Sequence, residues 1–179
     1  MNRHSIALTA LLLAACSKGA QQPPANQADT KVPGPSALKT AEGGDAGMVT
    51  LAEDGKGVTI KVEVAGLQPG PHGVHLHTVG RCDGPKFESA GPHWNPLGKQ
   101  HGKDNPQGAH LGDLANLEVG ADGRGTATFT LSGQSLMGGE HPLLDLDGAA
   151  LVVHAKADDY KTDPSGASGD RVACAVLGG

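Results

Sequence analysis

The chain has 179 residues, a length that suggests one domain with additional segments. Its 14 basic and 19 acidic side chains give a formal net charge of −5, and the sequence contains no long basic run, which argues against nucleic acid as a partner. Nine histidines stand against two Phe, one Trp and one Tyr, so imidazole is abundant while aromatic core material is scarce.

Residues 1–15 predict an export signal rather than a folded element. Arg3 precedes an apolar run over residues 6–15, which is too short to span a membrane but has the length of a signal-peptide core. The run ends in Leu13-Ala14-Ala15-Cys16, which resembles a bacterial lipobox and implies cleavage before Cys16 and a lipid on that cysteine. The alternative is an ordinary secretory signal with an incidental cysteine. Either way the protein leaves the cytoplasm, and the lipid predicts a membrane-anchored protein on the periplasmic side of the cell envelope.

Residues 16–36 predict a disordered tether. They are rich in Gln, Pro, Ala, Asn and Gly, and Val32 is their one large apolar residue. At roughly 3 Å per residue, an extended tether could hold the domain up to about 60 Å from a membrane. The folded domain is then expected over residues 37–179.

The composition of residues 37–179 predicts an all-β domain, because no stretch shows helical periodicity over more than two turns. Six segments predict strands: 48–53, 57–65, 114–119, 125–131, 149–155 and 171–177. Asp54-Gly55 predicts a hairpin between the first two strands, and Ala121-Asp122-Gly123 predicts another between the next two. Short, evenly spaced strands with turn signals indicate an antiparallel sandwich or barrel.

His75 and His77 are predicted to aim at one point. They follow an apolar/polar alternation over residues 58–64 that is typical of a half-buried strand. Residues i and i+2 of a strand point to the same face, so these two imidazoles could bind one metal ion. The alternative is a chance pair of surface histidines, but the supply of further histidines downstream favours a metal site.

A long Gly- and Pro-rich segment, residues 79–111, lies between the predicted strands and is expected to be functional. In and just after it stand four candidate ligands: His93, His101, His110 and Asp113. Three imidazoles and a carboxylate suit tetrahedral zinc, and a loop that buries little apolar surface gains order by binding metal. The alternative is a flexible loop that is rich in histidine by chance. His154 emerges where an apolar strand ends, a position from which rigid scaffolds present ligands.

Three cysteines in an exported protein leave one without a partner. If Cys16 carries a lipid, Cys82 and Cys174 are free to pair. The alternative is that Cys82 or Cys174 binds metal, although neither stands in a Cys-x-x-Cys motif.

Five motifs in combination resemble the copper/zinc superoxide dismutase family. They are Gly73-Val74-His75-Leu76-His77, Gly91-Pro92-His93-Trp94-Asn95-Pro96, His110-Leu111-Gly112-Asp113-Leu114, Leu151-Val152-Val153-His154-Ala155-Lys156-Ala157-Asp158-Asp159 and Gly169-Asp170-Arg171-Val172-Ala173-Cys174. The resemblance covers residues 37–179. The spacing around Cys82 is more like the bacterial exported branch than the eukaryotic enzymes.

The resemblance implies an antiparallel Greek-key β-barrel or sandwich, of immunoglobulin-like architecture, with long metal-binding loops. It implies four copper ligands: His75, His77, His93 and His154. It implies four zinc ligands: His93, His101, His110 and Asp113. His93 is therefore expected to bridge the two ions as an imidazolate, since each cation stabilises the anionic ring.

The same resemblance assigns roles beyond the ligands. Asp158 is expected to link a copper-binding and a zinc-binding histidine, His75 and His101. Arg171 is expected to guide the superoxide anion, and Cys82 is expected to form a disulfide with Cys174. Several lysines are candidates for steering the substrate: Lys86, Lys99, Lys103, Lys156 and Lys161.

The implied activity is dismutation of superoxide to dioxygen and hydrogen peroxide, with His93 and Arg171 as catalytic residues. Copper would transfer the electrons, and zinc would hold the loop. The main alternative is a copper- and zinc-binding envelope protein without turnover, which needs the histidines but not Arg171. A zinc hydrolase would leave His154 and Arg171 unused and would lack an evident general base. A homodimer is a further possibility that the sequence leaves open.

Overall fold

The computed structural model describes Met1 and residues 32–178. Within these residues the chain forms nine strands: β1 Ser36–Thr40, β2 Asp45–Asp54, β3 Gly57–Ala65, β4 Gly70–His72, β5 Val74–His77, β6 Leu117–Val119, β7 Arg124–Ser132, β8 Ala149–His154 and β9 Arg171–Leu177. A single 3₁₀ turn, Glu88–Ala90, is the one helical element of the described part. The predicted export signal apart from Met1, Cys16 and most of the predicted tether lie outside the described residues.

The strands confirm the predicted all-β, antiparallel fold. Seven of them form one curled sheet in the order β5-β8-β9-β1-β2-β3-β7, and β4 pairs with β6 in a second, two-stranded sheet. Every ladder is antiparallel, and the neighbours β9 with β1 and β3 with β7 are far apart in sequence, as in Greek-key connections. No helix among the described residues is long and apolar enough to cross a membrane.

Alternation along β3 places the core on one side of the sheet. Val58, Ile60, Val62 and Val64 are buried, while the residues between them are more exposed, so the predicted period of two is confirmed. A second small apolar cluster packs on the other side of β8 and β9 and includes Phe87, Ala90, Ala150, Val152 and Cys174. This cluster fixes the segment around the 3₁₀ turn against the sheet, just before His93 in the chain.

The first predicted hairpin is confirmed. Asp54 pairs with Gly57, which leaves a two-residue connection between β2 and β3. The Lys56 N–H donates to Asp54 Oδ1 at 2.8 Å and stabilises the turn.

The second predicted hairpin is wrong in its pairing. A tight turn is present, because the Gly123 N–H donates to the carbonyl of Gly120, but β6 pairs with β4 and β7 pairs with β3. β6 also begins at Leu117 instead of at residue 114. The preceding residues are engaged elsewhere: the Leu114 N–H donates to the carbonyl of Val74, and the Asn116 side chain binds the backbone of Asp158.

Two local differences from the prediction concern the ends of strands. His75 and His77 lie on a separate strand, β5, at an edge of the seven-stranded sheet, and not at the end of β3. β1 begins at Ser36, which pairs with Val49, so the strand starts one residue inside the predicted tether.

Candidate metal centre

Three elements bring the predicted ligands together. β5 supplies His75 and His77, and the neighbouring strand β8 ends at His154, where the register shifts after Val153. The loop that carries His93 is joined to β5 by a backbone bridge between His77 and His93. Regular strands therefore position three of the histidines, and a backbone bridge holds the fourth, His93.

His75, His77, His93 and His154 form what we call the four-histidine cluster. One ring nitrogen from each lies within 4.8 Å of those of the other three, and all four side chains are buried. The predicted copper ligands are therefore brought together. His75 and His77 share a face of β5, as their spacing predicted.

Backbone and carboxylate oxygens hold the outer nitrogen of three of these rings. The contacts are His75 Nε2 to Asp158 Oδ2 at 2.8 Å, His77 Nδ1 to the Gly91 carbonyl at 2.8 Å, and His154 Nδ1 to the Gly169 carbonyl at 3.1 Å. Because these oxygens only accept hydrogen bonds, each outer nitrogen carries the proton. The inner nitrogen of each ring is then an unprotonated lone-pair donor.

The inner nitrogens are the evidence that this cluster fits a metal ion. Among the described residues, His75 Nδ1, His77 Nε2 and His154 Nε2 are buried and have no hydrogen-bond partner. Buried polar atoms are rarely left without a partner, because each costs about 1–3 kcal/mol. Imidazole nitrogens that converge with their other nitrogen held by an acceptor are typical metal ligands, and they suit copper in both oxidation states.

Asp113 gathers three other nitrogens in what we call the Asp113 cluster: His93, His101, His110 and Asp113. Asp113 Oδ1 lies 2.9 Å from His93 Nδ1 and 3.0 Å from the Nδ1 atoms of His101 and His110. His110 Nδ1 is also 3.3 Å from His93 Nδ1. Zinc bonds of about 2.0–2.2 Å in a tetrahedron place neighbouring ligand atoms roughly 3.3–3.6 Å apart, so this set fits zinc with small adjustments.

Ligand-atom distances alone also join His75, His93, His101 and Asp113 into a group, with His75 in the place of His110. The hydrogen bonds favour His110. His75 Nε2 is engaged by Asp158, whereas His110 Nδ1 faces both Asp113 and His93. The predicted zinc set is thus the one that the contacts of Asp113 support.

Asp158 lies between the two clusters and contacts both. Its Oδ2 accepts from His75 and its Oδ1 lies 3.0 Å from His101 Nε2, which is the link that the resemblance predicted. Gly166 makes room for this carboxylate: a Cβ on Gly166 would lie 1.7 Å from Asp158 Oδ1, and its backbone has a φ of +65°. Only glycine fits at that position without moving Asp158.

The two clusters differ in charge. Burial lowers the pKa of His77 to about 2, that of His154 to about 3 and that of His93 to about 4, so the four-histidine cluster is neutral at pH 7. Burial alone would also lower the pKa of His101, but its hydrogen bonds to Asp113 and Asp158 outweigh burial and raise that pKa to about 9. The same bonds hold the pKa values of Asp113 and Asp158 well below their usual range, against the effect of burial.

Arg171 lies at the mouth of the centre, at the start of β9. Its guanidinium donates to the carbonyl of Phe87 at 2.6 Å and to that of Gly91 at 2.9 Å. It lines an open cavity of about 960 Å³ together with His93, Trp94, Lys99 and His110. The Gly91 carbonyl therefore orients both Arg171 and His77. Of the candidate steering lysines, Lys99 lines this cavity, and Lys103 instead lies 4.0 Å above the ring of Tyr160.

The predicted pairing of Cys82 with Cys174 is confirmed, with Cα atoms 5.7 Å apart. The disulfide attaches the segment before His93 to β9, and it rules out these two cysteines as metal ligands. The predicted lipid on Cys16 remains a prediction, because that residue lies outside the described residues.

Reasoning from the sequence missed the groups that orient the ligands. The carbonyls of Gly91 and Gly169 carry no side-chain signal, so no pattern could identify them. Asn116 contacts Asp158 from a segment that is distant in sequence, and Tyr160 contacts it from an irregular segment without a sequence period. His72 bridges the carbonyls of Gln68 and His154, so neither of its ring nitrogens is free to bind a metal ion.

Comparisons with known proteins give a consistent result. The family model "Copper/zinc superoxide dismutase (SODC)" matches residues 45–177. The chain is 46% identical over 143 residues to a Cu-Zn superoxide dismutase of Caulobacter vibrioides, which covers 78% of this chain and 82% of that protein. It is 43% identical over 180 residues to the superoxide dismutase-like protein YojM of Bacillus subtilis, which covers 95% of this chain and 92% of that protein.

Solved structures show the same fold. A superoxide dismutase-like protein from Bacillus subtilis superposes with a TM-score of 0.76 at 44% identity and covers 80% of this chain and 97% of its own. The Cu/Zn superoxide dismutase of Brucella abortus gives a TM-score of 0.62 at 28% identity and covers 80% of this chain and 98% of its own. The family model, the relatives and the two histidine-rich clusters agree, and the chain belongs to the copper/zinc superoxide dismutase family, whose enzymes use copper and zinc.

Proposed function

We propose that the four-histidine cluster binds copper, that the Asp113 cluster binds zinc, and that His93 bridges the two ions during superoxide dismutation. The observation that carries this proposal is the set of three buried, unpartnered nitrogens on His75, His77 and His154. Each belongs to a ring whose other nitrogen already has an acceptor. His93 supports the bridge, because its Nδ1 faces Asp113 while the ring also belongs to the four-histidine cluster.

Copper, when bound, supplies the one-electron change that oxidises one superoxide to dioxygen and reduces a second to peroxide. The chain supplies position and protons. Burial keeps His93 uncharged at pH 7, so the ring nitrogen that faces the four-histidine cluster could accept a proton from water in the open cavity and pass it to the peroxide product. The second proton of hydrogen peroxide comes from water in the open cavity.

Arg171 attracts the substrate in this proposal. The chain carries a net charge of −5, so an approaching anion meets a repulsive overall field unless a local positive charge compensates. The guanidinium lines the same cavity as His93, and its fixed donors suit a small anion. The Phe87 and Gly91 carbonyls prevent it from swinging away.

The alternative, a non-catalytic copper- and zinc-binding protein, has one observation in its favour. One of the similar proteins, YojM, is named superoxide dismutase-like rather than superoxide dismutase. Storage or delivery of metal would need both clusters but would not need a cation at the mouth. Arg171 therefore distinguishes the two functions.

The test compares Arg171→Glu with Arg124→Glu, which makes the same charge change on the exposed start of β7, away from the cavity. We expect Arg171→Glu to lower superoxide turnover 10- to 100-fold, about 1.4–2.7 kcal/mol, with both metals retained. Wild-type and Arg124→Glu rates should fall as salt rises, because salt screens the guiding field, and Arg171→Glu should lose that dependence. Full activity of Arg171→Glu with an unchanged salt response would contradict the guiding role.

Location in the cell envelope is part of the proposal. Its support is the sequence of the export signal and of the lipobox-like run that ends at Cys16. We expect Cys16→Ser to release the protein from membranes without loss of activity, because the folded domain begins well after this residue. Membrane fractionation with activity assays measures both effects, and wild-type protein without lipid would refute the anchor.

A homodimer completes the proposal. Met48 on β2 and Val176 on β9 are exposed large apolar side chains, and only β1 separates their strands in the sheet. This face is where a second copy would bind. Light scattering of the purified chain gives its molar mass directly.

A further inference from the structure

Asn116 and Tyr160 surround Asp158 but belong to neither metal cluster. The side chain of Asn116 binds the Asp158 backbone twice: the Asp158 N–H donates to Asn116 Oδ1 at 2.8 Å, and Asn116 Nδ2 donates to the Asp158 carbonyl at 3.0 Å. These bonds leave the carboxylate free for the histidines. They fix the point from which that carboxylate extends.

Tyr160 holds Asp158 from the other side. Its backbone N–H donates to Asp158 Oδ1 at 2.6 Å, and its hydroxyl accepts the Asn116 N–H at 2.8 Å. The backbone of Tyr160 has a φ of 62°, which is uncommon for a residue other than glycine. Such conformations concentrate at functional sites, and here the bend lets one residue reach both Asp158 and Asn116.

Tyr160 also contacts the loop that carries His101. The Asp104 N–H donates to the Tyr160 carbonyl at 3.0 Å, and Lys103 Nζ lies 4.0 Å from the centre of its ring. Gly102 packs so closely that a Cβ there would lie 2.0 Å from that carbonyl oxygen. The Gly102 N–H in turn donates to Asp113 Oδ2 at 2.9 Å. Order in the Asp113 cluster therefore extends through Tyr160 to Asp158.

We propose that Asn116 and Tyr160 are positioning residues that form a clamp on Asp158. The clamp sets zinc affinity through His101, and it transmits zinc binding to the four-histidine cluster through His75. This inference rests on the proposed function for the identity of the two ions. Groups that orient metal ligands typically contribute 10- to 100-fold to metal affinity, and the clamp acts one hydrogen bond farther out.

The test uses the full chain and four variants: Asn116→Ala, Tyr160→Phe, the double variant and the control Thr162→Val. The control removes a hydroxyl that binds Asp159 in the same segment without contacting Asp158. Competition with a chelator gives the zinc Kd, and Co²⁺ in place of zinc reports the ligand geometry through its visible bands. The visible band of Cu²⁺, recorded before and after zinc is added, reports the coupling.

We expect the zinc Kd to rise about tenfold in Asn116→Ala and about threefold in Tyr160→Phe, with shifted Co²⁺ bands in both. The rise in zinc Kd of the double variant should be smaller than the product of the two single-variant rises, because both residues act through Asp158. The zinc-induced shift of the Cu²⁺ band should shrink in Asn116→Ala and persist in Thr162→Val.

Unchanged zinc Kd and Co²⁺ bands in both single variants would overturn the clamp. So would a lower Tm of the metal-free protein with unchanged metal spectra, since that is the result of a purely structural role. If the wild type binds both metals but does not dismute superoxide, the proposed function fails, and the zinc titration still decides the clamp.

Discussion

Gly166 offers the sharpest test of how Asp158 organises the centre. In Gly166→Ala the new Cβ would lie 1.7 Å from Asp158 Oδ1 and 2.8 Å from His101 Nε2, so the carboxylate must move. The matched control is Gly133→Ala. Gly133 has a similar φ of +72°, but a Cβ there has no atom within 4 Å. Both variants therefore carry the same backbone strain, and only Gly166→Ala displaces Asp158.

The magnitude follows from what each variant disturbs. Alanine in a left-handed conformation costs about 1–2 kcal/mol, and this term is common to both variants. Displacement of Asp158 also removes the acceptor from two buried nitrogens, His75 Nε2 and His101 Nε2. Each such loss costs about 1–3 kcal/mol. The metal-free Gly166→Ala protein should therefore be at least about 2 kcal/mol less stable than Gly133→Ala.

Metal binding gives the second readout for this pair. Because Asp158 orients His101, zinc affinity should fall 10- to 100-fold in Gly166→Ala and remain at the wild-type value in Gly133→Ala. Urea unfolding of the metal-free proteins measures stability, and zinc titration measures affinity. Equal stability and equal zinc affinity in the two variants would refute the assigned role of Asp158.

Two further predictions concern the clusters themselves. His110→Ala should lower Tm and should lose more zinc than copper, because His110 contacts Asp113 and His93 but none of the other three members of the four-histidine cluster; metal analysis checks this, and equal loss of both ions would count against the division of ligands. The metal-free protein should be most stable near pH 7. Below that pH the unfolded chain binds protons that His77, His93 and His154 exclude in the folded state, which favours unfolding by up to about 4 kcal/mol per pH unit from these three residues. Above it, the stability that the raised pKa of His101 provides is lost as the pH rises through about 9; a flat urea midpoint from pH 5 to 9 would contradict both effects.

Local periodicity predicted the strands well, because it depends on neighbouring residues. The alternation over residues 58–64 predicts β3, and Asp54-Gly55 predicts the turn before it. Pairing is less predictable, since it depends on residues that are distant in sequence. The turn at residues 120–123 joins two strands that bond to other partners, and nothing in residues 114–131 indicates that the side chain of Asn116 binds Asp158 instead of extending β6.

The same distinction separates the ligands from the groups that orient them. The predicted ligands are side chains of a particular chemistry, and two of them show a strand period, so the sequence with its family resemblance can propose a ligand set. The orienting groups at Gly91 and Gly169 are backbone carbonyls, which every residue possesses. Their role arises only when the folded chain directs them at a ring nitrogen. Gly166 is comparable: its importance is the absence of a side chain beside Asp158.

The two clusters differ in the charge that their histidines carry at pH 7. Burial lowers the pKa values of His77, His93 and His154 far enough to keep these rings neutral at pH 7, although only His77 and His154 have carbonyl acceptors. In the Asp113 cluster, two carboxylates reverse the effect and keep His101 protonated at pH 7. A cation that enters this cluster must displace that proton, whereas one that enters the four-histidine cluster meets free lone pairs. The two carboxylates on His101 should therefore make the proposed zinc binding depend on pH, whereas the neutral four-histidine cluster should bind copper nearly independently of pH near neutrality.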